Sequence, residues 1–338
     1  MATGRGPDLR EPDDEMTLWA GIDEAGYGPR LGPLVVAGSA FLMPGTPREG
    51  ILWELLKDAV TREARGSDGR LVINDSKQVY SPAQGLRRLE EGVLACMAVC
   101  SGRPVRTAQE LMALLQGGRP PRQEAADPWF AAAPGLALPL ASNPSAVASK
   151  AQSLARACRG AGVRMLAARA AIVFPTEYNR IVAATHNKSL LLFQKCGLLL
   201  QELWQNAGPG ESHMVVDKHG GRMRYRDLLR DAFPDCSCDI LREEAACSSY
   251  RICEPGRALT LSFREGGDCV ALPAALGSMI AKYVREVHMH AFNAYWCERV
   301  EGLKPTAGYG TDAGRFLRDI RSALKAERVD ERTLVRMS

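Results

Sequence analysis

The sequence predicts an α/β protein, because β-forming runs alternate with runs of helical periodicity along most of the chain. An antiparallel hairpin leads: residues 18–22 are mostly apolar, a turn rich in glycine and proline follows, and residues 31–41 form a second β-rich run. The composition, 46% hydrophobic and 24% charged, is that of an ordinary globular protein. At 338 residues the chain can bury one large core or two modest ones.

The other elements follow in order. After the hairpin we predict helices over residues 51–65 and 82–100. Gly, Pro, Ala and Arg then dominate residues 101–144, which predicts an insertion or lid containing one helix, TAQELMALL. Regular patterns return at residue 145, and the predicted elements are helices over 145–161, 186–204, 224–233 and 275–296, and strands over 163–174, 214–220, 238–244 and 258–266.

The termini and bulk properties indicate a cytoplasmic protein with no membrane segment. Residues 1–16 are polar and predict a flexible tail without the apolar core of a signal peptide. The most apolar helical run is interrupted by Gln194 and Lys195, so it is too short to span a bilayer. The ten cysteines have scattered spacings typical of reduced thiols. A formal charge of +4 permits nucleic-acid binding but does not indicate it.

Four acids stand at the ends of predicted strands. Asp23 and Glu24 end the first strand, Asp217 closes HMVVD, and Asp268 follows TLSFREGG. Each one alone is as well explained by a solvated strand end, but together they form a cluster of hard oxygen ligands suited to Mg²⁺ or Mn²⁺. For two adjacent residues to serve one site, the backbone must leave the pleat, which the following glycines permit.

The ordered motifs resemble those of type 2 ribonucleases H, the group of ribonucleases HII and HIII. The matching stretches are GIDEAGYGP with GPLVVAG, the DSK of residues 75–77, VVDKHG, GDCVALPAALGSMIAKYVRE and the late GYGT of residues 308–311. The stretch TEYNRIVAATHNKSL is similar to the YN and HNK elements of ribonuclease HIII. The resemblance covers residues 18–320 except for the insertion.

This resemblance implies a domain over residues 17–325, with a mixed five-stranded sheet flanked by helices and a C-terminal helical region, followed by a tail at 326–338. Two Mg²⁺ or Mn²⁺ ions would act on the scissile phosphate: Asp23 would bridge them, Glu24 and Asp268 would hold one, and Asp217 the other. The implied reaction is hydrolysis of the RNA strand of an RNA–DNA hybrid, or of duplex DNA containing ribonucleotides. It leaves 3′-hydroxyl and 5′-phosphate ends, and we expect the protein to act as a monomer.

The resemblance also implies substrate contacts. Gly26 and Gly28 would approach the ribose 2′-hydroxyl through the backbone, Tyr309 would stack on a deoxyribose, and Lys77 would reach a phosphate. The other residues of the implied substrate site are Tyr27, Asn187, Lys188, Ser278 and Lys282.

Some features depart from the family pattern and leave alternatives open. Tyr27 stands where ribonuclease HII usually has Arg, and Gly314 stands where a His follows its GYxT element. The subtype is therefore open, as are two other functions on the same fold: a silent nucleic-acid-binding protein and a structure-selective DNA nuclease. The stretch from Arg222 to Arg226 suits either a solvated face or the path of a duplex.

Overall fold

The computed structural model describes residues 16–63, 68–81, 83–117 and 127–337, and a seven-stranded mixed sheet lies at its centre. The strands of the described chain are β1 (Met16–Ala25), β2 (Leu34–Pro44), β3 (Val60–Thr61), β4 (Leu71–Val72), β5 (Arg164–Val173), β6 (Gly210–Asp217), β7 (Ser237–Glu243), β8 (Cys247–Glu254) and β9 (Arg257–Arg264). The central sheet has the order β5-β2-β1-β6-β9-β8-β7, while β3 and β4 pair with each other.

The helices of the described chain cover both faces of this sheet. They are α1 (Ile51–Leu55), α2 (Ser76–Val79), α3 (Arg87–Ser101), α4 (Ala108–Leu115), α5 (Pro128–Ala131), α6 (Pro144–Gly160), α7 (Pro175–Thr185), α8 (Lys188–Trp204), α9 (Arg226–Ala232), α10 (Gly267–Val270), α11 (Leu272–Cys297), α12 (Gly310–Asp319) and α13 (Arg321–Ala326). None of the described helices combines the length and apolarity needed to cross a membrane.

Strand β1 is buried on both faces, because successive side chains point to opposite sides of the sheet. Leu18, Ala20 and Ile22 pack into the core cluster that contains residues of α8 and α9. Trp19 packs into the cluster that contains residues of α3, α6 and α11. The pattern explains why the strand is almost continuously apolar up to its last residues.

Two glycines allow α11 to lie directly on the sheet. A Cβ atom on Gly21 would come within 2.3 Å of the Ala274 backbone nitrogen, and one on Gly277 within 2.8 Å of the Ala37 carbonyl oxygen. Both distances are shorter than any real Cβ contact, so larger residues would push the helix away. The close approach brings α11 next to the carboxylate end of β1.

The topology places the ends of β1 and β6 together. These strands are parallel neighbours paired from Leu18 with Ser212 to Ile22 with Val216, so their carboxyl ends reach the same edge of the sheet. Strand β9 is parallel to β6 and ends at that edge too. Asp23 and Glu24 near the end of β1, Asp217 at the end of β6 and Asp268 just after β9 are therefore neighbours in space.

The predicted class, a mixed sheet flanked by helices with a C-terminal helical region, is confirmed. The sheet has seven strands rather than five, because β7 and β8 extend it beyond β9. Strand β8, whose burial alternates, is absent from the sequence prediction, as is α7. The helix predicted over residues 51–65 is shorter: α1 ends at Leu55, and β-branched residues then form β3.

The described part of residues 101–144 is not a surface lid. Trp129 and Phe130 in α5 are 2% and 1% exposed, and the Trp129 ring stacks on Trp296 of α11 with centroids 5.8 Å apart. The predicted helix TAQELMALL is present as α4, whereas residues 118–126 lie outside the described chain. This region contributes to the core because its aromatic residues meet partners from distant parts of the chain.

A buried glutamate fastens the end of the same region. Glu90 of α3 is fully buried, and its carboxylate accepts hydrogen bonds from the backbone N–H groups of Leu140, Ala141 and Ser142 and from the Tyr283 hydroxyl. Its charge is thus met by four donors.

The two predicted tails differ. The N-terminal one, residues 1–16, lies outside the described chain except for Met16, which begins β1. At the C-terminus the described residues pack onto the body of the protein, with Leu334 fully buried and Arg336 3% exposed.

Candidate active site

Three of the four predicted acids converge at the shared edge of β1 and β6. One carboxylate oxygen from each of Asp23, Glu24 and Asp217 lies within 4.8 Å of the others. The Glu24 backbone N–H donates to Asp23 Oδ1 at 2.7 Å. Strand β1 stays paired with β2 through Ala25, so the predicted departure from the pleat is wrong. The β1–β6 pairing ends at Ile22, which opens the space in which adjacent side chains can meet.

Asp268 lies beside this cluster, in the short helix α10 that follows β9. The Gly267 backbone N–H donates to Asp217 Oδ1 at 3.2 Å, which links α10 to the end of β6. Asp268 also contacts the side chain of Asp75. Asp75 is an acid of this edge that the sequence reasoning left out of the site, although its DSK motif was recognisable.

The carboxylates are held where their charge is unfavourable. Burial, followed by the charges of Glu24 and Asp217, raises the pKa of Asp23 well above its usual value. Burial and the charge of Asp217 raise the pKa of Glu24 to about 7. The pKa of Asp268 rises to about 6 through burial and the charges of Asp75 and Asp217. Without an added cation, this group of oxygens repels itself.

The donor set fits a divalent metal ion. Carboxylate oxygens are the ligands that Mg²⁺ and Mn²⁺ prefer, and a bound cation would remove the repulsion that raises these pKa values. Asp23, Glu24 and Asp217 are close enough to share one ion. Asp268 interacts with Asp217 and Asp75 but is not one of these three closely spaced carboxylates.

Lys77 is the cation that faces the acids. Lys77 lies in α2. The Asp75 side chain caps this helix by accepting a hydrogen bond from the Lys77 backbone N–H at 2.9 Å. Burial acts to lower the pKa of Lys77, but the charges of Asp75, Asp23, Asp268 and Asp217 outweigh it and raise that pKa. Lys77 is therefore close enough to these four carboxylates to interact with their charges.

Two predicted substrate residues of α11 already have partners within the protein. The Ser278 hydroxyl is 2% exposed, donates to Ser76 Oγ at 3.0 Å and hydrogen-bonds the Asp23 carboxylate. Lys282 Nζ pairs with Glu286 at 2.7 Å. Ser278 thus orients Asp23 and ties α2 to α11, which is a structural contact beneath the carboxylates.

The glycine turn, residues 26–33, continues from the acids. Gly26 has φ 86°, and a Cβ atom there would lie 2.7 Å from the Pro33 carbonyl oxygen. Gly28 is exposed, and a Cβ atom there would meet nothing within 4 Å. Gly26 is therefore required by the turn itself, while the open space at Gly28 leaves room for a ligand to approach the backbone.

Cations lie next to Tyr27, the residue between these glycines. Lys188 Nζ is 5.3 Å from the centre of the Tyr27 ring. Arg222 acts on the Tyr27 hydroxyl electrostatically and donates to Ser189 Oγ at 3.2 Å. Positive charge is thus present at this position although the turn itself carries Tyr.

The remaining predicted residues stand near the same face or cap a helix. Asn187 caps α8, its Oδ1 accepting the Leu190 N–H at 3.1 Å. Tyr309 is 47% exposed and precedes α12. The preceding carbonyl, Gly308 O, accepts the Arg30 and Leu31 N–H groups, so Tyr309 sits next to the glycine turn.

The chain matches no known family model and no curated protein. Among solved structures, it resembles ribonuclease HII from Archaeoglobus fulgidus, solved with PCNA, at 17% identity over 95% of this chain and 94% of that one, with a TM-score of 0.43. Ribonuclease H2 from Pyrococcus horikoshii is 16% identical over 94% and 92%, with a TM-score of 0.46. Bst-RNase HIII, solved with Mn²⁺, is 13% identical over 96% and 67%, with a TM-score of 0.41.

The chain is similar to ribonucleases HII and HIII. They form the group whose motifs the sequence resembles. Because the identities are below 25% and the TM-scores below 0.5, the function has to be argued from the residues of the site.

Proposed function

We propose that the protein is a metal-dependent endoribonuclease that hydrolyses the RNA strand of RNA–DNA hybrids and leaves 3′-hydroxyl and 5′-phosphate ends. The observation that carries this proposal is the convergence of Asp23, Glu24 and Asp217 at one sheet edge, directly before a glycine turn with open space at Gly28. A protein that only binds nucleic acid gains nothing from self-repelling carboxylates beside a phosphate.

The acids would hold the metal ions, and the ions when bound would supply water activation and stabilisation of the leaving oxygen. Asp23, Glu24 and Asp217 are close enough to share an ion and would hold it together, rather than being divided between two ions as the resemblance implies, and Asp268 would help to hold a second ion. Ser278 keeps the Asp23 carboxylate in place through its hydroxyl. Lys77 would bind a phosphate oxygen on the side of the site that it faces.

The glycine turn would select RNA. At Gly28 the backbone is open to solvent, so a ribose 2′-hydroxyl can approach the peptide groups closely. The exposed ring of Tyr309, next to the turn, would stack on a sugar of the adjacent nucleotide. Lys188 and Arg222, beside Tyr27, would bind the phosphate backbone.

The test uses the purified full-length chain with Mg²⁺ or Mn²⁺ and four end-labelled duplexes: a hybrid, DNA with one ribonucleotide, DNA, and RNA. We expect cleavage of the hybrid, none of the DNA, and no cleavage after the metal is chelated. One product should carry a 3′-hydroxyl and the other a 5′-phosphate. A ligase should therefore join the two products while both remain paired with the complementary strand. Cleavage of plain DNA would identify a DNA nuclease, and binding without cleavage would identify a silent binding protein.

A further inference from the structure

The C-terminal segment, residues 330–337, packs against the glycine turn rather than extending into solvent. Leu31 and Val335 form an antiparallel β-bridge, and the Arg336 backbone N–H donates to the Arg30 carbonyl oxygen at 2.9 Å. Leu334 is fully buried in the cluster that also contains Leu31. Val335 and Arg336 therefore pair with the turn through their backbone.

Arg336 is the charged residue of this contact. Its guanidinium is 3% exposed, donates from Nη2 to the Pro29 carbonyl oxygen, and lies 5.0 Å from the centre of the Tyr178 ring. Its Nε and Nη1 have no hydrogen-bond partner among the described residues, and no ion pair of the described chain includes it. Burying a guanidinium with so few hydrogen-bond partners is costly.

A second buried arginine reaches the same turn from α11. Arg285 is fully buried and donates to the carbonyl oxygens of Pro33 at 3.1 Å, Leu31 at 3.2 Å and Ala307 at 2.8 Å. The two guanidinium groups thus bind the carbonyls of alternate turn residues, 29, 31 and 33. We call Arg285 and Arg336 the arginine pair.

The side chain of Asn179 in α7 binds the C-terminal segment through hydrogen bonds. Its Nδ2 donates to the carbonyl oxygens of Arg332 at 2.8 Å and Val335 at 2.7 Å. Its Oδ1 accepts the Met337 N–H at 2.7 Å. Three hydrogen bonds from one side chain fix the segment on both sides of Arg336.

We propose that Arg336 is a positioning residue and that the C-terminal segment holds the glycine turn in the shape that receives substrate. The inference rests on the proposed function, because it assigns the turn to the substrate. The turn backbone is held through its carbonyls, so Gly28 and the neighbouring Tyr309 keep their places before substrate arrives. A preorganised turn loses less conformational entropy on binding, which lowers KM more than it changes kcat.

The experiment compares Arg336→Met and Arg336→Lys with the control Arg332→Met, whose side chain is 89% exposed in the same segment. With Mg²⁺ and a labelled hybrid, we expect Arg336→Met to raise KM about tenfold with little change in kcat, since one charge-assisted hydrogen bond and its buried donor are lost. Arg336→Lys, which keeps the charge and one donor, should recover part of this, and Arg332→Met should match the parent protein. Unchanged KM in Arg336→Met would overturn the proposal, as would equal loss in kcat.

Amide hydrogen exchange, measured by mass spectrometry, gives a readout that does not require activity. Peptides covering residues 26–33 should exchange faster in Arg336→Met, while those covering β6 stay unchanged. If the parent protein cleaves no hybrid, the proposed function fails. Faster exchange of residues 26–33 in Arg336→Met would still support the role of Arg336 in holding the turn, and unchanged exchange would still overturn it. If Arg336→Met does not fold, Asn179→Ala must show the same KM and exchange changes, and parent-like values would overturn the inference.

Discussion

The carboxylate cluster and the arginine pair both place buried charge next to the glycine turn, yet they differ in how that charge is met. The acids converge with Lys77 as their facing cation, and burial and mutual repulsion raise their pKa values. The arginines donate to backbone carbonyls of the turn and of Ala307. Lys77 does not offset the repulsion among the acids, whose pKa values stay raised, whereas the arginines find backbone acceptors for part of their N–H groups.

This difference makes the carboxylate cluster a candidate ligand site and the arginine pair a structural contact that holds the turn. Buried charge alone does not mark a catalytic centre, because structural networks bury charge as well. What distinguishes the acids is that a cation added from outside would relieve their repulsion. The arginine pair, in contrast, is engaged before any ligand binds.

The largest loss of activity should come from substituting Asp23, whose carboxylate lies near those of Glu24, Asp217 and Asp268. We expect Asp23→Asn to lower kcat on the hybrid by about 1,000-fold or more while the protein still folds, because the amide keeps the shape and loses the charge. Asp235→Asn, the same chemical change at an exposed position, should leave kcat unchanged. Turnover within about tenfold of the parent would rule out Asp23 as a metal ligand.

The position of Asp268 predicts a graded result within the cluster. Asp217 shares the three-carboxylate site, whereas Asp268 lies beside it, next to Asp75. We therefore expect Asp217→Asn to lose more turnover than Asp268→Asn, and high Mn²⁺ to restore part of the activity of both. Steady-state rates over a Mn²⁺ series measure this, and small, equal losses would mean that these acids do not hold the metal.

For the arginine pair the expected effect is on stability. Arg285→Met leaves three turn and loop carbonyls without their donor, so the free energy of unfolding should fall by about 3 kcal/mol. Urea titrations of Arg285→Met and of Arg318→Met, an exposed position on α12, provide the comparison. A loss below ~1 kcal/mol would show that the arginine is not a brace.

The pH dependence of stability tests the acids without any substrate. Since the pKa of Glu24 rises from 4.5 to about 7 on folding, the folded protein binds more protons between these values, and the Glu24 contribution to stability is lost as pH rises through 7. His219 and His288, whose pKa values fall to about 3 and about 4 through burial, act in the opposite direction below pH 6.5.

The variant Glu24→Gln separates the contribution of Glu24 to the pH dependence of stability from that of the histidines. In metal-free buffer, the Tm of Glu24→Gln should exceed that of the parent by more at pH 8 than at pH 5, and Mn²⁺ should raise the Tm of the parent more than that of the variant. Thermal melts at both pH values measure the difference. A constant gap between the two proteins would mean that Glu24 does not titrate as described.

The smallest effect should be at the cation beside Tyr27. Lys188→Gln should weaken hybrid binding several-fold and reduce the slope of log affinity against log salt by about 0.9, the value for one lost phosphate contact. Lys325→Gln, at an exposed position on α13, is the control. An unchanged slope would place Lys188 away from the nucleic-acid backbone.

Local patterns predicted the hairpin, the main helices and the meeting of Asp23, Glu24 and Asp217, because strand ends and helical periodicity can be recognised from neighbouring residues. They could not predict that Trp129 is buried, since its partner Trp296 is supplied from another part of the chain. The contacts of Arg285 and Arg336 could not be predicted either, because their acceptors are backbone carbonyl groups, which every residue has. Strand β8 is absent from the prediction although Ser248, Tyr250 and Ile252 alternate on its buried face, which is the pattern of a half-buried strand.

The contact between Arg336 and Pro29 has a consequence for protein synthesis. The two residues are 307 positions apart, so at ribosomal rates of ~5–20 residues per second the turn emerges roughly 15–60 s before the residue that braces it. The sheet and its carboxylates can assemble earlier on the nascent chain. On this basis the turn gains its contact with Arg336 only once residue 336 has been synthesised, well after the strands that carry the carboxylates.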